Sequence, residues 1–449
     1  MTVWKAPSKR KREPKRSIRP RAWCVAGAIC FTAIFHLAYL WYLWPTFGYF
    51  GFRYYPPSLA MTFLIYGFAA LPSQWMPIKL MRGSHLVYWI LYLTVFIPSM
   101  VVSVVVDPLP GWPKILMLTA FLIGFRIVTL SDRLPLIFQR RSLVPHETVA
   151  LAVLIATVGI ALYLVFLPNV SLRLVSFNPE EHYKQRSMNT VGLVAGYFSF
   201  WLPNVLNPFL LTYGLVMKRW FYFLTGAIGQ LFAYSFAATK GSILSIAIYV
   251  AIYWFVRKGS RRFGPSMVWA ATLLIGAALV VSVLQRDGPW SFFPSIVLMR
   301  TFGVPGLLTS QYDEFFKQHP YTYLSHMNIM NEFVSYPYSR PLPIEIGYFY
   351  YGTDTSANAH LWAQDGIAAF GTPGILLISG LCAIVLWMLD SASARHDLVF
   401  TATALTFVSV ELANSSLSTS LVSGGIFFYM TVFVLMSPLQ DRLRNVKHT

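Results

Sequence analysis

About twelve long apolar runs recur along this chain, and they restrict its folding more than any other feature. They lie near residues 22–44, 57–76, 86–106, 114–130, 149–167, 191–216, 220–237, 242–256, 266–285, 373–390, 398–413 and 421–437. Crossing a hydrocarbon layer about 30 Å thick takes roughly 20 apolar residues as a helix, and no backbone group can be left unpaired there. Only 12% of the 449 residues are charged while 56% are apolar, which excludes an ordinary soluble enzyme and an intrinsically disordered chain. The expected fold is an all-α polytopic membrane protein of about twelve transmembrane helices, nine within 22–285 and three within 373–437.

The formal net charge of +18 raises the question of a nucleic-acid partner. Its distribution points elsewhere. Nine Lys or Arg lie from Lys5 to Arg21, in a tail (residues 1–21) that precedes the first apolar run. Such a flank is held in the cytoplasm, so the tail reads as a topology signal and no nucleic-acid partner is expected. The run after Arg21 continues into Trp41 and Trp44 with no small-residue cleavage site, so it is expected to stay as an anchor. An even number of spans then returns the C-terminal tail, 438–449, to the cytoplasm. The loop charges agree: Arg140, Arg141, Lys218, Arg219, Arg257, Lys258, Arg261 and Arg262 gather on the inner segments, and the outer segments are nearly neutral.

Cys24, Cys30 and Cys382 all fall in apolar runs and read as packing residues. No Cys/His metal spacing and no phosphate-cradling glycine loop occurs, so no metal and no cofactor is expected. Polar chemistry gathers in residues 286–372, one long stretch between the ninth and tenth spans that falls outside the membrane in this topology. Loops of that length carry lids, binding elements or surface helices. A smaller outer loop, 168–190, holds Arg173, Glu180, Glu181, His182, Lys184 and Arg186.

Within this frame Lys240 stands in a small-polar break, Thr239, Lys240, Gly241, Ser242. A cation at membrane depth costs roughly 2.5 to 3.5 kcal/mol on insertion scales, which invites either an anionic ligand or snorkelling to headgroup phosphates. Arg300 ends the run Ile296 to Met299 and precedes Gly303, Pro305 and Gly306, a pattern suited to an amphipathic outer helix pair. Its planar fork suits a lipid pyrophosphate; an ion pair with Asp313 or Glu314 is the structural alternative. The most specific stretch runs from Gly347 through Tyr350, Tyr351 and Gly352 to Asn358, Ala359, His360, Asp365, Gly366, Phe370 and Gly371. A helix from Ser356 would set Asn358 near Asp365 and His360 near Gln364. Polar groups at that depth need each other or a polar ligand, and Tyr350 and Tyr351 are rings on which sugar faces can stack.

The order of these features resembles the bacterial oligosaccharide repeat-unit polymerases, the Wzy-type O-antigen and exopolysaccharide polymerases. The resemblance covers about residues 235–375. It implies a metal-independent glycosyltransferase of the GT-C type with one large extracytoplasmic loop between helices 9 and 10, sited in the bacterial inner membrane. Its substrate would be undecaprenyl-diphosphate-linked oligosaccharide, alongside membrane lipids, a chain-length regulator and a flippase as partners. The arginine-and-glycine periplasmic motifs of some members are not recognisable around Arg173, Arg186 or Arg300.

The residue inventory fits that chemistry. Negative charge grows on the departing pyrophosphate, so fixed cations, Lys240, Arg300 and Arg186, would lower the barrier. The acceptor hydroxyl needs a base, and His360, Asp365 and Glu345 are the candidates, with His360 preferred. Tyr350, Tyr351 and Asn358 would contact sugar. Two other readings stand beside this one. An O-antigen-type glycan ligase would share the topology and the cations. A lipid-linked oligosaccharide flippase would place ionisable residues within its spans, which here hold little beyond Arg126 and Glu411.

Overall fold

In a computed structural model the chain is predominantly helical over the part described, which comprises residues 18–137, 143–167, 172, 192–237, 240–285, 288 and 290–439. The sole β feature among them is a single bridge between Val144 and Met436. Nine helices among the described residues are long and apolar enough to cross a membrane: Pro20–Phe50, Ser84–Val105, Trp112–Arg133, His146–Val165, Gly241–Gly259, Phe263–Leu284, Phe292–Phe316, Thr372–Ser393 and Leu417–Leu435. Two further apolar helices, Leu59–Gln74 and Leu398–Asn414, are shorter. The protein is therefore a multi-pass membrane protein in its helix content. The expected runs at 191–216 and 220–237 also form helices, but Asn204, Asn207 and two prolines dilute the first and Gln230 the second.

One element departs from the sequence reading. Residues 292–316, expected within a long polar loop, form a continuous 25-residue helix. Its glycines and Pro305 read as a break in the sequence. The structure absorbs the proline in a wide π-helical turn over Ser295–Gly303.

The same device recurs. Wide turns cover Tyr39–Leu43, Tyr92–Phe96, Leu202–Leu206 and Ser295–Gly303, and each ends two residues before a proline: Pro45, Pro98, Pro208 and Pro305. Proline lacks the N–H that would complete the ladder, and its ring crowds the carbonyl four residues back. One extra residue in the turn relieves that clash without ending the helix. A fifth wide turn, Trp362–Ile367, has no such proline.

The helix ends gather at two faces. At one, the Arg21 side chain donates to the carbonyl of Gln74, and Gly264 N–H donates to Ile78 O at 2.9 Å. Arg82 pairs with Asp132 at 3.4 Å there, and Asp390 accepts from both the backbone and hydroxyl of Ser84 at 3.0 and 2.6 Å. At the other, Tyr55 N–H meets Val105 O at 2.7 Å, and Lys114 binds Asp313 at 2.6 Å and Asp107 at 3.5 Å. Helix 292–316 has both ends near this second face. Its start, with Trp290 and Phe293, shares an apolar cavity with Val281, Leu284 and Gln285 at the far end of helix 263–284, and its end carries Asp313 to Lys114.

Candidate functional site

Residues 317–371 connect the end of helix 292–316 to the start of helix 372–393 at the second face, and their last third folds inward among the helices. The chain turns tightly at Thr353, whose carbonyl accepts from Thr355 N–H at 2.6 Å, and has no regular secondary structure up to residue 360, its Ala357 N–H donating to Pro343 O at 2.9 Å. It passes so close to Gly347 that a Cβ there would lie 1.6 Å from Thr355 O. Helix resumes only at residue 361, so the expected pairing of Asn358 with Asp365 along a helix from Ser356 is not formed, and Asn358 is exposed.

His360 caps the resumed helix. Its Nδ1 accepts from Ala363 N–H at 3.3 Å, which puts the ring proton on Nε2, 2.8 Å from Thr309 Oγ1. Thr309 in turn donates to Pro305 O at 2.9 Å and meets Ser99 Oγ at 2.8 Å. The imidazole is fully buried, edge-on to Phe121 and Trp362, and burial pulls its pKa down to about 3. With both nitrogens engaged inside the bundle, His360 is a neutral structural hydrogen-bonder here. Its backbone carbonyl also accepts from Gln364 N–H at 3.0 Å.

Asp365 lies one turn on, at 0% exposure, in the wide turn that no proline explains. Its backbone is pressed against helix 372–393: a Cβ on Gly374 would sit 2.0 Å from Gly366 O. One carboxylate oxygen accepts from Leu417 N–H, at the N-terminus of helix 417–435, where the helix dipole favours negative charge. The other accepts from His326 Nε2 at 2.9 Å. His326 Nδ1 faces Thr322 Oγ1 at 3.0 Å, and Thr322 also donates to Ala368 O at 3.1 Å. The turn that delivers His326 is strained: Tyr323 and Leu324 are both left-handed, with φ of +48° and +67°. It is pinned by Thr322 N–H and Tyr323 N–H donating to Ala368 O and Ala369 O at 2.8 and 3.3 Å.

The remaining predicted residues separate into several settings. Glu345 lies 3.8 Å from Arg340, with one carboxylate oxygen buried and lacking a hydrogen-bond partner. Burial, and then the Glu345 charge, push the phenols of Tyr336 and Tyr338 upward, the latter to about 12. Tyr350 donates to Gln311 O at 3.0 Å and lies 3.2 Å from Glu314; Tyr351 bonds the Gln311 side chain at 3.1 Å and stacks on Phe50 at 4.7 Å. These two rings fasten helix 342–351 to helix 292–316, and the more exposed rings are instead those of Tyr323, Phe333 and Phe349, with Tyr348 lying under the Arg340 guanidinium at 3.9 Å. Arg300 is exposed on the wide turn 295–303, while Asp313, one of its expected partners, binds Lys114 and Lys317 at 2.6 and 2.8 Å. Helix 240–259 begins at Lys240, whose side chain lies outside the described residues, as do Arg186, Arg173 and most of 168–190.

His326 is absent from the sequence reading. It stands 39 residues from Asp365 with no motif to join them, and the one signal is a histidine in a polar segment of unusual backbone. The other two imidazole–carboxylate pairs among the described residues, His85 with Asp132 and His146 with Glu147, lie at the opposite face. Compared with known proteins, the chain matches no protein-family model, no curated protein and no solved structure.

Proposed function

We propose that the chain joins undecaprenyl-diphosphate-linked oligosaccharide repeat units into surface polysaccharide, an O-antigen or exopolysaccharide, at the outer face of the bacterial inner membrane. The observation that carries this reading is the buried Asp365, tied to His326 in the segment that folds into the second face. The clusters Lys218 and Arg219, and Arg257 to Arg262, sit at the first face, with the Arg219 side chain 4.0 Å from Glu147 beside His146. Reading that face as cytoplasmic by the positive-inside rule, we assign residues 317–371 to the outside and both termini to the inside.

Twelve crossings and a GT-C-like arrangement belong to the same proposal. Helix 292–316, with both ends near one face, lies across the bundle and is not counted. In this proposal the other eight long helices, with 59–74, 193–217, 220–237 and 398–414, are taken as the twelve crossings.

In this reading the donor chain leaves its lipid diphosphate as the acceptor hydroxyl attacks the anomeric carbon. The departing diphosphate takes the electron pair, and Arg300, with Lys240 and Arg186, supplies positive charge to it. No metal or cofactor enters the proposal. The test is a deletion strain restored with the wild-type chain or with Lys240→Ala and Arg300→Ala variants, scored by glycan ladder. The deletion strain is expected to accumulate single lipid-linked units on the outer leaflet, and each variant to shorten or abolish the ladder. Accumulation on the cytoplasmic leaflet identifies a flippase, and polymer that forms but stays on its lipid identifies a ligase. Normal ladders from both variants remove the cationic mechanism.

A further inference from the structure

We infer that His326 is the general base of this site, with Asp365 and Thr322 as its positioning residues; the assignment rests on the polymerase reading above. Three carboxylate or imidazole groups are candidates from sequence; the geometry seals off His360 and sets the two carboxylates against charged or hydrogen-bonding partners. His360 is sealed in the bundle with both nitrogens bonded. Glu345 faces Arg340. Asp365 has each oxygen committed, one to Leu417 N–H and one to His326, and no exposed surface from which to reach a substrate.

His326 also has both nitrogens bonded, but its side chain keeps a small exposed surface, 6%, and one of its partners is a hydroxyl with another acceptor in reach. Its Nε2–H donates to Asp365, so Nδ1 is the ring's acceptor, held against Thr322 Oγ1. Thr322 has a second acceptor, Ala368 O at 3.1 Å, and can therefore give up Nδ1 to an incoming hydroxyl without stranding its own proton. The His326 side chain is 6% exposed and Tyr323, in the same turn, 51%, so the imidazole lies just beneath the surface of this segment. The left-handed pair Tyr323 and Leu324 costs backbone energy, and such strain persists where surrounding contacts over-determine it. Here the contacts are the hydrogen bonds to Ala368 and Ala369 and the His326–Asp365 pair itself.

The step balances. The acceptor oxygen forms its bond to the anomeric carbon as the bond from that carbon to the phosphate oxygen breaks and its electron pair leaves with the diphosphate. The hydroxyl proton passes to His326 Nδ1, and the imidazolium so formed is held against the Asp365 carboxylate until the proton passes to water. A positioned base contributes about 10²- to 10⁴-fold in rate.

The experiment uses membrane vesicles from the deletion strain carrying wild-type or variant chain, supplied with lipid-linked repeat units extracted from that strain. Two variants separate chemistry from folding. His326→Gln keeps a donor for Asp365 and removes the basic nitrogen; His326→Ala opens a space that free imidazole can enter. The expected result is a rate loss of about 10²-fold or more for both at wild-type membrane amounts, with imidazole restoring part of the Ala variant's rate. Polymerisation at the wild-type rate by His326→Gln, or an Ala variant that imidazole does not rescue, overturns the assignment. If wild-type vesicles themselves make no ladder, the polymerase reading falls and this role falls with it; if they do and His326→Gln does too, only this role falls.

Discussion

His360 offers a clean test of how the buried segment is held, because its sequence neighbourhood marks it for chemistry and its surroundings mark it for structure. Replacement by Ala removes the cap on Ala363 N–H, worth about 1 kcal/mol, and leaves a space between Phe121 and Trp362 that costs about 2 to 4 kcal/mol more. Thr309 keeps Pro305 O and Ser99, so no further buried group is stranded. The expected loss is therefore about 3 to 5 kcal/mol. His360→Asn retains an acceptor for the cap, and His360→Gln retains a donor for Thr309; each should cost less than Ala, and neither can act as a base. Acid adds a second handle. The folded imidazole has a pKa of about 3 and the unfolded one 6.5, so the unfolded chain binds the extra proton. Stability is complete above 6.5 and falls as pH drops toward 3, by about 1.4 kcal/mol per unit as an upper bound. His360→Asn should remove that slope. Melting of purified protein in detergent reads both effects, and glycan ladders normalised to membrane amount read activity. A variant that melts like wild type yet makes no polymer would refute the structural role.

Three further expectations follow from packing. Gly374→Ala forces a Cβ against Gly366 O and should lower the melting point and deplete the protein from membranes, because a backbone atom cannot step aside as a side chain can. Gln230→Leu strands the Pro203 carbonyl, which Gln230 Nε2 now meets at 2.8 Å, and should cost about 1 to 3 kcal/mol by thermal melting. Lys114→Met leaves the Asp313 carboxylate with the more exposed Lys317 as its remaining ion-pair partner and should cost about 2 kcal/mol; pairing it with Asp313→Leu should recover part of that, as a double-variant melting series would record.

The apolar runs are legible because the hydrocarbon sets their length, and each expected run lies on a helix in the structure. Helix 292–316 is not, because Gly303 and Pro305 read as breakers while the cure for the proline, an extra residue in the preceding turn, leaves no mark of its own. Asn358 and Asp365 mislead for the opposite reason. Their seven-residue spacing suits a helix, but Thr355 packs over Gly347 and the chain stays irregular up to His360. His326 cannot be found by spacing at all, since a contact across 39 residues is made by tertiary folding.

The wide turns offer a rule that joins these cases. Four of the five are the answer to a proline, at Pro45, Pro98, Pro208 and Pro305, so once a helix is known to continue past a proline the place of its wide turn follows. The fifth, Trp362–Ile367, has to be held by something else, and what holds it is the site: Leu417 N–H and His326 on the two oxygens of Asp365, and the close contact of Gly366 with Gly374 and Ile375. A helix adopts this looser geometry without a proline only when tertiary contacts outweigh the regular ladder. The polar bonds of Asp365 are those contacts, so the same carboxylate that fixes the imidazole also sets the backbone of the turn that carries it. Asp365→Asn would then disturb both together, whereas His326→Gln, which preserves a donor to the carboxylate, should leave the turn in place and remove only the basic nitrogen.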